Sequence, residues 1–211
     1  MQKFECTRCG KCCTSLPDVT SFGMVVFGFE AKKLAQIAKE RNIHLDLQPS
    51  LALSDEKSKQ ELVILQKFNH HDCPFYKDHA CTIYEDRPIL CHAFPIITAG
   101  LFSDGEIIKS AYCPGNEKLN LKGATSIKEV IKVYGESYLY CYLFESMLKE
   151  VKENLNNLAH NDEIVPNKAK NVYPQLDALE FLSQKELFRK EDELMHEKKT
   201  LAETKAIFEE L

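Results

Sequence analysis

The stretch Cys6-Thr7-Arg8-Cys9-Gly10-Lys11-Cys12-Cys13 packs four thiols into eight residues. A Cys-x2-Cys step lets two sulfurs reach one ion from a single tight turn. Gly10 supplies the backbone freedom that such a knuckle needs. Arg8 and Lys11 set positive charge beside the thiols, which favours thiolates. Cys6, Cys9 and Cys12 reproduce the first three positions of the bacterial ferredoxin run, Cys-x2-Cys-x2-Cys. In that run a further Cys precedes Pro. Cys73-Pro74 and Cys113-Pro114 have this form, without the local spacing. Cys12 and Cys13 are adjacent. On an extended chain their side chains point apart, so holding one ion with both is awkward. One of them then serves a second metal, bridges two metals, or forms a labile vicinal disulfide.

Further along, Cys73-Pro74-Phe75 leads through Cys81 and Tyr84 to Arg87-Pro88, Cys91 and Phe94-Pro95. Seven residues separate the first two cysteines and nine the next two. That is too wide for a knuckle, so each thiol must come from its own turn or strand end. Eight of the nine cysteines fall within the first 113 residues, and only Cys141 follows. Cys141 lies among Tyr138, Tyr140, Tyr142 and Phe144 on a predicted helix and reads as packing. The candidate metal ligands are therefore Cys6, Cys9, Cys12, Cys13, Cys73, Cys81, Cys91 and Cys113. They make two four-sulfur sites, or one site with spare thiols. His70, His71, His79 and His92 lie close by and read as surface or hydrogen-bonded side chains. Arg87 reads as a turn-fixing residue paired with Glu85, Asp86 or another carboxylate.

Composition narrows the function classes. The chain has 211 residues, 44% hydrophobic and 28% charged, with a formal net charge of −5. The pI of about 5.8 argues against a protein that binds nucleic acid by neutralising phosphates. No apolar run reaches the roughly 18 residues of a membrane-spanning helix. Met1 to Cys6 has no apolar stretch of the signal-peptide kind. The expectation is a cytoplasmic protein with an unidentified protein partner, no nucleic acid and no membrane. A reducing compartment keeps thiols free, and an odd count of nine cysteines does not suit a disulfide framework. Thiolate ligation suits zinc or an iron–sulfur cluster, not magnesium or calcium. The ferredoxin-like triplet tilts this towards iron–sulfur, with [4Fe-4S] the cluster type. The wide spacing of the other thiols tilts back to zinc.

These motifs, Cys6-x2-Cys9-Gly10-x-Cys12-Cys13, Cys73-Pro74-Phe75, Cys81-x-Ile83-Tyr84-Glu85-x-Arg87-Pro88-x2-Cys91-x2-Phe94-Pro95 and Cys113-x-Gly115, resemble the CxxCxxCC cysteine-cluster family. This YkgJ-type family is described as a zinc- or iron-chelating domain and is related to the flagellin lysine N-methylases. The resemblance covers about residues 4 to 116. It departs at His92, where the family commonly has Arg, and leaves the cysteines intact. It implies a cytoplasmic metal-binding protein and settles neither the metal nor the activity. The absence of a second catalytic motif favours a binding protein that serves electron transfer, metal handling or assembly of a partner. Two alternatives stand beside that reading: a protein-modifying enzyme resembling the flagellin methylases, and a zinc-stabilised interaction module. For the enzyme, the sequence has no Gly-rich strand-to-helix loop and no Cys-x3-Cys-x2-Cys run.

The expected fold class is α+β: a small cysteine-organised N-terminal part with short antiparallel strands and a helix, then C-terminal helices. The boundary is placed at residues 1–116 and 117–211. Strands are predicted at Val25–Phe29, Leu62–Phe68, Ala93–Leu101 and Glu106–Ala111, the last two joined at Ser103-Asp104-Gly105. Helices are predicted over Glu30–Arg41 with Asn42 as stop, from a cap at Thr125 or Ser126 with Glu129 into the Asn-rich segment near Asn154, and over Asp177 to about Glu210. In the last of these Leu179, Leu182 and Leu187 occupy core-like positions. A loop through Pro166 and Pro174 precedes it. The segment of residues 6–13 must fold back to Cys73, Cys81 and Cys91 if they share a site.

Overall fold

The structure, a computed structural model, describes residues 4–19, 23–98, 107–109, 113–117, 127–168 and 173–188. A 3-10 turn at Lys11–Cys13 is followed by α1 (Leu16–Val19), β1 (Val25–Val26), α2 (Gly28–Glu40), β2 (Leu47–Asp55) and β3 (Gln60–Phe68). Next come β4 (Tyr76–Lys77), β5 (Ala80–Cys81), a 3-10 turn at Tyr84–Asp86 and α3 (Ile89–Ala93). The chain continues through β6 (Ile96–Thr98), β7 (Ile107–Lys109), α4 (Pro114–Glu117), α5 (Ile127–Tyr134) and α6 (Glu136–His160). The described part closes with β8 (Pro166–Lys168), β9 (Gln175–Asp177) and α7 (Ala178–Gln184). The class is α+β, with short antiparallel strands and helices as the sequence predicts.

Packing gathers the described residues into two units: those within 1–24 and 70–145, and those within 25–69 and 146–194. This cuts the chain differently from a boundary at 116. The reason lies in the sheet. Strands from residues 25–68 pair with strands that follow residue 165, so the second unit must draw on both ends of the sequence.

The second unit is organised by β3. Its run Glu61-Leu62-Val63-Ile64-Leu65 is buried without alternation, the pattern of a strand covered on both faces. It pairs antiparallel with β1 and β2 and parallel with β9, while β8 adds to the far side of β2. β2 carries no strong sequence signal, because Pro49 argues against a strand. The structure accommodates it where the register shifts between Pro49 and Leu51. The expected loop through Pro166 and Pro174 instead contributes two strands, one beginning at Pro166 at the sheet edge. The β2–β3 turn is tied by Asp55, whose carboxylate accepts from the Lys57, Ser58 and Val165 N–H groups and from the Ser58 hydroxyl.

Helix α2 starts two residues before the predicted Glu30. The buried Glu30 carboxylate accepts from the Phe27 N–H at 3.2 Å and so closes the first turn. Asn42 ends the helix as expected, with a left-handed φ of 53°, while the Ile43 N–H returns to the Ala38 carbonyl at 2.8 Å. The single helix expected after residue 126 is two helices, broken at Gly135 with φ 47°. The capping box at Ser126 and the Ser103-Asp104-Gly105 turn lie outside the described residues, although β6 and β7 do pair antiparallel there. Ala93 belongs to α3 and not to a strand.

Asp177 caps α7 by accepting from the Glu180 N–H at 2.9 Å. Leu179 and Leu182 are buried, but Leu187 is 39% exposed, since α7 has ended at Gln184. The rest of the predicted final helix, beyond residue 188, lies outside the described residues. No helix among the described residues is long and apolar enough to cross a membrane.

Candidate metal centre

The cysteine knuckle bends where its sequence allows it. Gly10 has φ 75° and Arg8 φ 54°, both left-handed. A Cβ at position 10 would fall inside the Tyr76 side chain, so the knuckle lies directly against the β4 strand. The Gly10 carbonyl then accepts from the Cys13 and Thr14 N–H groups at 2.8 and 3.0 Å, forming the 3-10 turn. This turn corrects the extended-chain picture of Cys12 and Cys13. Winding the backbone brings their sulfurs to 4.0 Å.

The fold-back to Cys73 is made by the main chain. The Cys73 N–H donates to the Cys13 carbonyl at 2.6 Å, and the Leu16 N–H to the His71 carbonyl at 2.8 Å. From Cys73 the chain enters the β4–β5 hairpin, with Tyr76 opposite Cys81 and Lys77 opposite Ala80. Its two central residues, Asp78 and His79, have φ 50° and 61°, the requirement of a tight type I′ turn. The Tyr76 N–H donates to the Cys73 carbonyl at 3.0 Å and the Thr82 N–H to the Phe75 carbonyl at 2.9 Å. Cys73 and Cys81 therefore stand at the base of one hairpin, over the fully buried Phe75. Cys91 follows on α3, anchored by the buried Ile89, Leu90 and Ala93, with its Sγ 3.6 Å from the Sδ of buried Met24.

Electrostatics group the same thiols. The Cys12 thiol is pushed far above its ordinary range, first by its hydrogen bond with Cys13, then by burial and by the charges of Cys13 and Cys9. Burial pushes Cys73 up to about 11, and Cys81 and Cys12 add to the rise. Burial raises Cys81, with Cys12 adding and the Ile83 N–H and Arg87 opposing. Burial raises Cys91 well above its ordinary value; Cys73, Cys12 and Cys81 add, and Arg87 opposes. The charge of Cys12 thus acts on Cys73, Cys81 and Cys91, which places these thiols in one neighbourhood.

The remaining candidates stand around this group. Cys6 and Cys9 are exposed, and Cys9 couples to Cys12. Cys113 lies with Phe4 against Gly115, where a Cβ would be 3.5 Å from the sulfur and 2.9 Å from the Phe4 ring. Phe4 is fixed there by its N–H to the Val133 carbonyl at 2.7 Å and by the Tyr134 ring at 5.6 Å. Cys141 is buried, in agreement with the packing reading. His71 is an exposed partner of Asp72, and His79 is an exposed turn residue. His92 is nearly buried, stacked on Tyr140 at 4.3 Å with Nδ1 3.3 Å from the Arg87 guanidinium.

Arg87 fixes the turn through Tyr84. Its Nε donates to the Tyr84 carbonyl at 2.7 Å, and its guanidinium lies 3.6 Å from the Tyr84 ring centroid. Arg8 lies over the same ring at 4.1 Å. Tyr76, Tyr84 and Met24 were not among the sequence candidates. Tyr76 and Met24 stand outside the quoted motifs, because their contacts join segments far apart in sequence, while Tyr84 lies in the Cys81-x-Ile83-Tyr84 motif with no role assigned to it.

The donor set fits a thiophilic metal. Sulfurs in a tetrahedral zinc site stand about 3.8 Å apart for a Zn–S bond of about 2.3 Å, close to the Cys12–Cys13 separation of 4.0 Å. Among the described residues no group of three or more His, Cys, Asp or Glu side chains has the convergent geometry that holds an ion. Burial first, and then the repulsion that neighbouring thiolates would exert, favours the protonated form of Cys73, Cys81 and Cys91, and ligation requires these protons to leave.

A knuckle against a hairpin, with thiols drawn from three segments, makes a cysteine-rich domain. The chain belongs to the CxxCxxCC family, whose model carries the description "Putative zinc- or iron-chelating domain" and matches residues 5–114. No curated protein and no solved structure matches it.

Proposed function

We propose that the chain is a metal-binding protein whose centre is built on the thiolates of Cys12, Cys73, Cys81 and Cys91, holding zinc or an iron–sulfur cluster. The observation that carries this reading is the bond from the Cys73 N–H to the Cys13 carbonyl at 2.6 Å, which sets the knuckle against the base of the hairpin that bears Cys73 and Cys81. Cys13 stands beside Cys12 as the alternative ligand. Cys6, Cys9 and Cys113 complete the eight and supply thiols for a second ion or for metal transfer. All-sulfur donation selects zinc or iron over magnesium or calcium. All nine cysteines are free thiols, which suits the reducing cytoplasm. A bound zinc would crosslink the knuckle to Cys73, and a cluster would supply one-electron chemistry at the same place.

Burial and mutual repulsion hold these thiols protonated, so protons compete with the metal. Affinity therefore rises with pH across the neutral range and falls in acid. Anaerobic purification followed by metal analysis and an absorption spectrum tests the reading. Iron and sulfide with a broad band near roughly 400 nm select the cluster. Stoichiometric zinc without colour selects the structural ion and excludes electron transfer. Protein that takes up neither metal contradicts the proposal.

A further inference from the structure

We propose that the Cys12–Cys13 pair is an oxidative modification site, at which a peroxide closes a vicinal disulfide and so takes the knuckle's sulfurs away from the metal. The loss of metal rests on the metal-centre reading; the disulfide itself needs no metal. The two sulfurs stand 4.0 Å apart. Adjacent side chains on an extended chain point to opposite faces. Here the left-handed Gly10, with φ 75°, starts a 3-10 turn in which its carbonyl accepts from the Cys13 and Thr14 N–H groups at 2.8 and 3.0 Å. That winding brings the thiols together. Closing an S–S bond of about 2.05 Å then asks the sulfurs to approach by about 2 Å, which rotation about the side-chain bonds supplies. Cys12 and Cys13 are half-buried, and Cys9, Lys11 and Thr14 around them are exposed, so a small oxidant reaches the pair.

The step balances with one hydrogen peroxide. One sulfur of the pair attacks the peroxide: an S–O bond forms, the O–O bond breaks, and the departing oxygen leaves as water with the thiol proton. The second sulfur attacks the resulting sulfenic sulfur: an S–S bond forms, the S–O bond breaks, and a second water carries off its proton. The two thiols lose two electrons in all, and the peroxide is reduced to two waters. Adjacent α-carbons stand about 3.8 Å apart, short of the roughly 4.4–6.8 Å that disulfides usually span. The product is therefore strained and readily reduced by a dithiol, which makes the modification reversible. While it lasts neither sulfur can bind as a thiolate. The tie from the Cys73 N–H to the Cys13 carbonyl at 2.6 Å uses no sulfur. Oxidation thus withdraws two donors without cutting the tie between knuckle and hairpin.

The test uses the full chain, reduced and freed of metal under anaerobic conditions, then given hydrogen peroxide in small steps. Remaining thiols are alkylated and the protein is digested with trypsin for mass spectrometry. Cleavage after Lys11 and Lys32 releases residues 12–32, a peptide that holds Cys12 and Cys13 and no other cysteine. An internal disulfide is therefore read without ambiguity: the peptide loses two hydrogens and takes up no label. This product should appear at the lowest doses and disappear on treatment with a dithiol. In parallel, cobalt(II) is added as the probe. The reduced protein should develop a cobalt–thiolate absorption band, the oxidised protein should lose it, and reduction should restore it. Cys12 or Cys13 linked to another peptide, or both still labelled when other cysteines have been oxidised, would overturn the modification site. An internal disulfide that leaves the cobalt band intact would overturn its control of the metal. Absence of the band in the reduced protein would remove the metal-centre reading instead, while the mass of the 12–32 peptide would still decide the disulfide.

Discussion

Gly10 is the residue on which the knuckle turns. Its left-handed φ of 75° and the Tyr76 side chain in its Cβ position both demand glycine. The left-handed conformation alone costs an alanine about 1–2 kcal/mol, and the overlap with Tyr76 adds to it. Gly10→Ala should therefore weaken metal binding and lower the thermal midpoint, as chelator competition and calorimetry would register. An unchanged affinity would mean that the knuckle can move away from Tyr76 without loss. The role of Gly10 was legible in the sequence, because a glycine beside a Cys-x2-Cys step carries its own meaning. The roles of Tyr76, Tyr84 and Met24 were not. A tyrosine or methionine at these positions looks like any core residue until the knuckle folds onto it.

At the scale of elements, the β2–β3 turn depends on Asp55. Burial works to raise its carboxyl, but the Ser58 hydroxyl and the Val165, Lys57 and Ser58 N–H groups outweigh this and hold it below its ordinary value. A carboxylate lowered in the folded state stabilises the fold above its unfolded pKa, about 3.9, and that contribution disappears as pH falls through the folded value. Asp55→Ala should destabilise the fold by about 1–3 kcal/mol, because it leaves buried N–H groups without their acceptor. Urea unfolding at pH 6 should show the full difference from wild type, and the gap should narrow below pH 4. A difference independent of pH would contradict the role of the charge. The elements most legible in the sequence were those with one dominant local signal: the apolar run of β3, the amphipathic α2 and its Asn42 stop. β8 and β9 were missed, because Pro166 and Pro174 read locally as loop, and β2 was missed because Pro49 weakens its local strand signal. Only pairing with β3, or with β2 beside it, makes these segments strands.

Across the whole molecule, the cysteine order suggested a division at residue 116, whereas packing follows the sheet and assembles each unit from separated stretches. The family of the N-terminal part was nevertheless readable, since the family's model matches residues 5–114. The grouping of the thiols was not readable. It is set by two main-chain bonds, Cys73 to Cys13 and Leu16 to His71, that join positions about sixty residues apart. A metal crosslink across so long a loop should contribute to stability, because the unfolded-chain entropy it removes increases with loop length. Chelation should consequently raise amide hydrogen exchange in residues 73–93 and in the knuckle, with the β2–β3 amides little changed. Uniform loss of protection over both units would contradict a metal centre local to the first.

The most direct measurement is metal content per chain in wild type and in single cysteine variants purified anaerobically. The account predicts stoichiometric zinc or iron in the wild type and in Cys141→Ser, and its loss in Cys12→Ser, Cys73→Ser and Cys91→Ser. Full metal content in the Cys12 and Cys73 variants, or none in the wild type, would contradict it.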